Sequence, residues 1–341
     1  MAAKPQLLLY SPQTLPSVGG LQYVVHYWAA ALTQKGYGVV VVSYTPGAED
    51  FAEGYRVVLN PSKRLFRQLI KQATALLMFD VSLKALPQWL GTGTPLYISH
   101  QSGLWYPGQR VPQRQRIKRW VANTLATGHL ACSRFIAGHY KNCGVVYNPI
   151  RHDIFYAQPA TQRQPVLLFA GRLVTDKGVD VLLKAFALLL QYPEAAGLTL
   201  HIAGDGPEKA ALQQLAHTLQ LDGRIVWPGM LGQQQLANAM RASALMVVPS
   251  RLEPMGMVAA EGLACGVPMV LSACGGLPEV GGAFCHYFEN GNATDLCRAL
   301  HESLIRPLHP DPAALQQHLQ QFTVGYSVDR LLRMVLNQID N

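Results

Sequence analysis

The chain has no long apolar run, little charge and no paired cysteines, and each lack excludes something. No stretch approaches the roughly 18 consecutive apolar residues that a membrane-spanning helix needs. The opening MAAKPQLLLYSPQ has neither the apolar segment nor the cleavage site of a signal peptide, so the expected location is the cytoplasm. The six cysteines, Cys132, Cys143, Cys265, Cys274, Cys285 and Cys297, include no C-x-x-C pair and no paired metal-ligand spacing. They read as reduced, packed thiols, and no structural zinc is expected. With 14% charged and 49% hydrophobic residues, the composition is that of buried cores and not of disorder. An early G-x-G-x-x-G is missing, GGLQYV standing in its place, which argues against a nicotinamide-dependent oxidoreductase. No helix-turn-helix, RNA-binding aromatic motif or zinc module is visible, so nucleic acid is not an expected partner.

At 341 residues the chain is too long for one comfortable core and suits two α/β domains. Its charge is unevenly placed. Residues 1–160 carry 16 Lys and Arg against 5 Asp and Glu, and the remainder carries 12 against 15, so the first half stands at +11 and the second at −3. A basic first half suggests an anionic encounter, and with nucleic acid disfavoured by the missing motifs, anionic lipid and a phosphorylated acceptor are the remaining choices.

The first half opens with an apolar strand at 7–10, a loop ending in Gly19 and Gly20, a helix-period segment at 21–34 stopped by Gly36, and a strand at 39–43. Such strand, glycine loop, helix, strand units build parallel sheets through right-handed crossovers. Further buried strands fit 96–99, ending at His100, and 128–132. The polar, proline-bounded PATQRQP at 159–165 reads as an interdomain linker. A second alternation of strands and helices then runs from 166 to 264, with strands at 166–170, 198–203, 225–227 and 245–248. The expected domains are 1–158 and 159–324, with a last helix within 325–341 packing back on the first.

Three loops carry chemistry. Strand 166–170 runs into GRLVTDKG, which places Gly171, Arg172 and Lys177 at the carboxyl end of a parallel strand, where ligands of open α/β sheets sit and where two cations suit a diphosphate. Strand 245–248 leads into PSRLEPMGMVAAEGLACGVPMV, where Glu253 falls in a loop and Glu261 on the helix 257–264. Backbone N–H groups near Gly256 and Met257 would face a sugar hydroxyl or a phosphate oxygen. A buried Glu261 among small apolar neighbours needs hydroxyl or N–H partners, and vicinal ribose hydroxyls would supply them. The glycine turns GDGPE, from Gly204, and CGGLPE, from Cys274, each follow a strand-like run.

The order GGLQ, GRLVTDKGVDVLL, HIAGDGPE, then VPSRLEPMGMVAAEGLACGVPMVLSACGGLPEV resembles glycosyltransferase family 4, the retaining GT-B glycosyltransferases, nearly continuously over 166–280. The resemblance implies two Rossmann-like domains with parallel sheets facing across a cleft. It implies that Arg172 and Lys177 hold the donor diphosphate and that Glu261 holds the ribose. Glu253, with backbone groups at Met255, Gly256 and Met257, would contact the transferred sugar. Gly19 and Gly20 would close over the phosphates, Gly171 and Gly204 would line the donor, and His100 would sit beside the reacting sugar. The implied reaction is transfer from a nucleotide-sugar, UDP-sugar favoured and GDP-sugar the alternative, to a glycan or lipid-linked acceptor in envelope glycoconjugate synthesis. It would keep the anomeric configuration and use no metal or other cofactor, since no carboxylate motif such as D-x-D accompanies these loops. A different nucleotide-sugar enzyme such as an epimerase, or a catalytically silent binding subunit, is the alternative. The sequence departs from the family's pattern at Met255, where an aromatic is common, and at Asn148-Pro149-Ile150-Arg151.

Two basic stretches supply much of the first half's charge. In KRLFRQLIK, Leu65, Phe66, Leu69 and Ile70 share one helical face ringed by Lys63, Arg64, Arg67 and Lys71, the pattern of an interfacial helix. In RVPQRQRIKRW, Arg114, Arg116, Lys118 and Arg119 lie near Trp105, Tyr106 and Trp120. Peripheral attachment to the inner, anionic face of a membrane is the expectation, against solvated helix faces as the alternative.

Overall fold

The structure is a computed structural model and describes residues 5–14, 19–46, 50–52, 54–102, 111–158 and 162–336. It divides into two units, residues 1–149 with 321–341, and residues 150–320.

In the first unit, uninterrupted runs of Leu and Val make strands buried on both faces. The strands are β1 (Gln6–Ser11), β2 (Gly38–Ser43), β3 (Asp50–Ala52), β4 (Tyr55–Leu59), β5 (Ala75–Phe79), β6 (Leu96–His100), β7 (Gly128–Ala131) and β8 (Cys143–Val145). They lie in the order β3-β4-β2-β1-β5-β6-β7-β8. Every pairing is parallel except that of β3 with β4. The order reverses between β1 and β5, which puts the sheet's ligand crevice at the carboxyl ends of those two strands.

Helices α1 (Gly20–Gln34), α2 (Lys63–Gln72), α3 (Leu86–Trp89), α4 (Gln113–Leu125) and α5 (Arg134–Ala137) connect the strands. Phe66, Leu69 and Ile70 of α2 and Val121 and Ala122 of α4 join Leu8, Tyr10, Val40, Met78 and Ile98 in one core cluster, so both helices cover the same face of the sheet. This corrects the interfacial-helix reading of 63–71. The apolar stripe of α2 is spent on the core, Lys63, Arg64 and Lys71 remain outside, and Ser62 caps its start by accepting from the Leu65 N–H at 3.1 Å.

The second unit repeats the plan. Its strands are β9 (Gln164–Ala170), β10 (Thr199–Ala203), β11 (Ile225–Gly229), β12 (Ser243–Val248), β13 (Met269–Ser272) and β14 (His286–Phe288), in the order β11-β10-β9-β12-β13-β14. All are parallel, and the reversal falls between β9 and β12. Helices α6 (Val179–Leu189), α7 (Lys209–Thr218), α8 (Gln233–Ala242), α9 (Met257–Ala264), α10 (Leu277–Gly281), α11 (Ala293–Ile305) and α12 (Pro312–Gln320) surround the sheet. Leu182, Phe186 and Leu189 of α6 and Leu296 and Leu300 of α11 close one core over Leu167, Phe169 and Leu200.

The last helix, α13 (Val324–Leu336), belongs to the first unit. The Trp28 indole donates to Ser327 Oγ at 2.9 Å, Ser327 Oγ donates to the Tyr147 carbonyl at 2.9 Å, and the Tyr97 hydroxyl donates to the Val335 carbonyl at 2.9 Å. Residues 337–341 lie outside the described residues.

The units part at Pro149 and Ile150, not at 158 and 159. The guanidinium of the buried Arg241 explains the difference. It donates to the Ile154 and Tyr156 carbonyls at 3.1 and 3.2 Å and lies 5.0 Å above the Tyr156 ring, which fastens residues 150–158 to the second unit. Of the expected linker, residues 159–161 lie outside the described residues and Gln164 already begins β9.

Candidate active site

The strand reversal in the second unit sets the site. The carboxyl ends of β9 and β12 flank it, so the loops 171–178 and 249–256 emerge side by side. Close backbone approach holds them there. Gly178 lies in the left-handed region at φ 65°, and a Cβ on it would stand 2.1 Å from the Pro249 carbonyl oxygen. Gly204 closes the other flank, since a Cβ there would meet the Gly171 carbonyl oxygen at 1.8 Å. The structure thus gives Gly171 and Gly204 a packing reason, with the Gly171 N–H also bonded to the Ala203 carbonyl at 3.0 Å.

Arg172 follows Gly171 directly, with its side chain exposed and no ion pair to any described residue. Lys177 ends a short 3-10 turn, Thr175–Lys177, that breaks at Gly178 before α6 begins. Its Nζ lies 2.5 Å from Glu253 Oε2, and the Ser250 hydroxyl donates to the same oxygen at 3.3 Å. Glu253 is buried at 7% exposure, so its charge depends on these partners. Residues 76 positions apart in sequence therefore form one cation–carboxylate pair at the strand ends.

Glu261 sits one helix away. Gly256, at φ 99°, starts α9, and its missing Cβ makes room for Leu277 Cδ2 at 2.5 Å. The first turn of α9 leaves the N–H groups near Met257 without intrahelical partners, while the Met255 side chain is buried. Along α9, Ala259, Ala260, Gly262, Leu263 and Ala264 are buried around Glu261, whose carboxylate accepts no hydrogen bond from any described residue. Burial alone pushes its pKa up to about 8. A desolvated carboxyl without an internal donor is a vacant acceptor for hydroxyl groups.

Four second-unit side chains expected from sequence, Arg172, Lys177, Glu253 and Glu261, thus stand on three adjoining segments of one sheet end. Two others passed unnoticed. Arg251 and Asp180 form a bidentate pair, Nη1 to Oδ1 and Nη2 to Oδ2, both 2.6 Å. Burial pushes the Asp180 carboxyl up, but the hydrogen bonds and charge of Arg251, helped by Lys184, outweigh it and hold the pKa below the ordinary value. No local pattern in the sequence pairs residues that far apart.

In the first unit, Gly19 has extended backbone and Gly20 opens α1, just after the carboxyl end of β1. Residues 15–18 of that loop, and Trp105, Tyr106 and Arg110 of the basic stretch, lie outside the described residues. His100 requires a correction. It ends β6 as expected, but its side chain is 1% exposed and enclosed in the unit's interior. The ring stacks on Tyr140 at a centroid distance of 3.5 Å, and Nε2 lies 3.3 Å from His129 Nδ1. Burial, and then the charge of His129, lower its pKa to about 3, so the imidazole is neutral and lies against the Tyr140 and His129 rings. A strand end fixes where a residue lies but not which sheet face its side chain takes. The polar group at that sheet end is Asp80, which accepts from the Gln101 and Ser102 N–H groups at 2.8 and 3.1 Å and from the Ser102 hydroxyl at 2.6 Å.

Among the described residues, no cluster of three or more His, Cys, Asp or Glu side chains could hold a metal ion. No described helix is long and apolar enough to cross a membrane.

Residues 151–317 match the model of the family described as glycosyl transferases group 1. D-inositol 3-phosphate glycosyltransferase from Mycolicibacterium smegmatis is 35% identical over 184 residues, 50% of this chain and 39% of that protein. Mannosylfructose-phosphate synthase from Agrobacterium fabrum is 37% identical over 118 residues, 33% of this chain and 26% of that protein. These alignments span well under half of either relative's length. The fold is shared along nearly the whole chain. Sucrose-phosphate synthase from Thermosynechococcus elongatus superposes with a TM-score of 0.80 at 18% identity, covering 99% of this chain and 100% of that one. Anabaena HepE, solved with UDP and glucose, superposes with a TM-score of 0.77 at 19% identity, covering 98% and 100%. The chain therefore has the GT-B fold, and its second unit belongs to the group 1 glycosyl transferase family.

Proposed function

We propose that the chain is a retaining glycosyltransferase. It takes a hexose from a nucleotide-sugar, UDP-sugar before GDP-sugar, and places it on a glycan or lipid-linked acceptor of envelope glycoconjugate synthesis. The observation that carries this reading is the Lys177–Glu253 pair of 2.5 Å at the strand reversal, flanked by the exposed Arg172 and the partnerless carboxyl of Glu261. Anions, sugar hydroxyls and ribose hydroxyls are the guests such groups take. That HepE was solved with UDP and with UDP-glucose supports the choice of base.

In the reaction, the bond from the anomeric carbon to the diphosphate breaks while the acceptor oxygen bonds to the same face of that carbon. The departing phosphate oxygen takes the acceptor's proton. Arg172 and Lys177 stabilise the charge that collects on the leaving group, taking the electrostatic role a metal has elsewhere, so they act chiefly in the transition state. Glu253, once Lys177 turns to the phosphate, is free to accept from a hydroxyl of the transferred sugar. No residue is alkylated and no cofactor enters.

Thermal stabilisation by UDP, GDP, ADP and their common sugars, with EDTA present, tests the reading, because a ligand bound only by the folded state raises stability with saturation. At 100 Kd the gain is about 2.7 kcal/mol. A clear shift with one nucleotide series is expected; flat melting across the whole panel would sink the proposal.

The acceptor side rests on charge. Helix α2 carries Lys63, Arg64, Arg67 and Lys71 and helix α4 carries Arg114, Arg116, Lys118 and Arg119, with Ile117 and Trp120 of α4 exposed at 51% and 62%. A cationic layer with an exposed indole suits an anionic lipid surface holding a lipid-linked acceptor. Neutralising Arg114, Arg116, Lys118 and Arg119 together is expected to cut binding to phosphatidylserine vesicles at least tenfold, at about 1 kcal/mol per cation. Equal sedimentation of variant and parent would assign these residues to a merely solvated face.

A further inference from the structure

Lys177 occupies a place that its own segment cannot hold. It ends a three-residue 3-10 turn, Thr175–Lys177, with a left-handed glycine behind it, and no long helix fixes its direction. Beside the Lys177 N–H bond to the Val174 carbonyl at 2.9 Å, what fixes it comes from the opposite loop. The Arg251 N–H donates to the Asp176 carbonyl at 2.7 Å, and Arg251 Nη1 donates to the Thr175 carbonyl at 3.0 Å. The same guanidinium grips Asp180 of α6 by two bonds of 2.6 Å. One side chain thus binds the turn that presents Lys177 and the helix behind that turn.

Arg251 is held in turn from its own side. Its carbonyl accepts from Asn290 Nδ2 at 2.9 Å and from the Cys274 thiol at 3.1 Å, and the preceding Ser250 carbonyl accepts from Ser272 Oγ at 2.6 Å. Two residues further on stands Glu253, fixed by its carbonyl's bond from the Gly276 N–H at 2.9 Å. The Lys177 loop is also tied to the 205–208 turn, by the Leu173 N–H to the Asp205 carbonyl at 2.9 Å and by the Thr175 hydroxyl to Glu208, but these bonds between it and the 249–256 loop fall within two residues of Arg251. Glu261, by contrast, is placed by the packed faces of α9, which Arg251 does not touch in any of these bonds.

We propose that Arg251, through its fork on Asp180 and its bonds to Thr175 and Asp176, is a positioning residue that sets the reach of Lys177 towards the leaving group. It therefore governs turnover and leaves nucleotide binding largely alone. The inference rests on the glycosyltransferase reading of the same site. Arg251 need not touch the donor; it holds the group that does, and a displacement of about 1 Å at such a group is enough to cost about 10²-fold. A lysine at this position carries the charge but not the planar fork, so it cannot make the two Asp180 bonds and the Thr175 bond together.

The test compares R251Q, R251K, D180N and the double variant D180N/R251Q with the parent chain. Hydrogen exchange of the ligand-free proteins is read first, because it needs neither donor nor acceptor. Residues 172–178 are expected to lose protection at least tenfold in R251Q and D180N, while 257–264 keeps theirs. Steady-state release of UDP from UDP-sugars and calorimetric titration with UDP follow. The expected result is a 10- to 100-fold fall in kcat with UDP affinity within threefold of the parent, partial recovery in R251K, and a double variant no worse than R251Q. Unchanged exchange at 172–178, unchanged kcat, or a loss confined to UDP affinity each overturns the positioning role. A parent chain that neither binds UDP nor releases it from any UDP-sugar, with exchange behaving as expected, instead overturns the reading of the site and leaves the loop tether as a structural fact.

Discussion

Lys177→Ala is expected to lower kcat by about 10²- to 10³-fold, the usual cost of removing one preorganised group that meets charge only as it develops. Affinity for UDP should fall far less, because the free nucleotide presents the same phosphates to Arg172 and to the N–H groups at the start of α9. The substitution also strands Glu253, which is 7% exposed and has Lys177 at 2.5 Å as its cation. A buried carboxylate stripped of its partner destabilises a fold by about 3–5 kcal/mol. A lost melting transition would therefore mimic lost catalysis, and the companion variant K177A/E253Q separates the two. It should recover most of the stability and none of the rate. Initial rates with saturating donor, set beside calorimetry with UDP, decide the matter: a K177A protein that turns over at the parent rate removes the lysine from the reaction.

Glu261→Gln is expected to move two observables in opposite directions. The carboxyl has a folded-state pKa of about 8 against an ordinary 4.5, so the folded protein keeps a proton that the unfolded chain has released. Its stabilising share is fully present below about pH 4.5, drains away as the pH rises, and is gone above about pH 8. Every tenfold change in a protonation equilibrium is worth about 1.4 kcal/mol, so wild-type protein at pH 8 carries a burden of at most about 4–5 kcal/mol that glutamine does not share. The ligand-free variant should melt several degrees higher than wild type at pH 8, and the two should converge towards pH 5. Binding goes the other way. A carboxylate accepting from ribose hydroxyls contributes about 1.5–3 kcal/mol, and its loss should weaken UDP about 10- to 100-fold. Melting curves from pH 5 to 8, with and without UDP, show both effects. An unchanged UDP dissociation constant would detach Glu261 from the ribose, and an unchanged pH 8 melting point would mean that water already reaches the carboxyl.

Legibility followed the range of the signal. Glycine loops, apolar runs and helix periods are local, so β9, α9 and β12 emerge from sequence to within a residue or two, and the alternation of strands and helices yields the architecture. The string ALLMF at β5 carries as strong a local signal, yet it passes unread between two basic segments that draw attention to charge. The direction of a side chain is not local. His100 and Glu261 both sit where the motifs put them, but Tyr140 and His129 stack about the first, while the second stands among the buried Ala259, Ala260, Gly262 and Leu263 of its own helix. Helix α2 shows the same limit, since an amphipathic stripe reads alike whether the core or a membrane receives it. The Arg251–Asp180 fork lay furthest out of reach, because two charges 71 residues apart become partners only when β9 and β12 are laid side by side.

The return of α13 to the first unit orders events during synthesis. Residues 150–320 form an unbroken stretch with its own core, whereas Trp28, Tyr97 and Tyr147 wait for Ser327 and Val335. On a ribosome delivering about 5–20 residues per second, the half of the protein made first is the half completed last. Its early sheet must stay soluble for the many seconds in which the second unit is made and folds. The near absence of acidic residues between 54 and 152, where Asp80 stands alone, gives the waiting chain a net positive charge whose self-repulsion opposes aggregation during that delay.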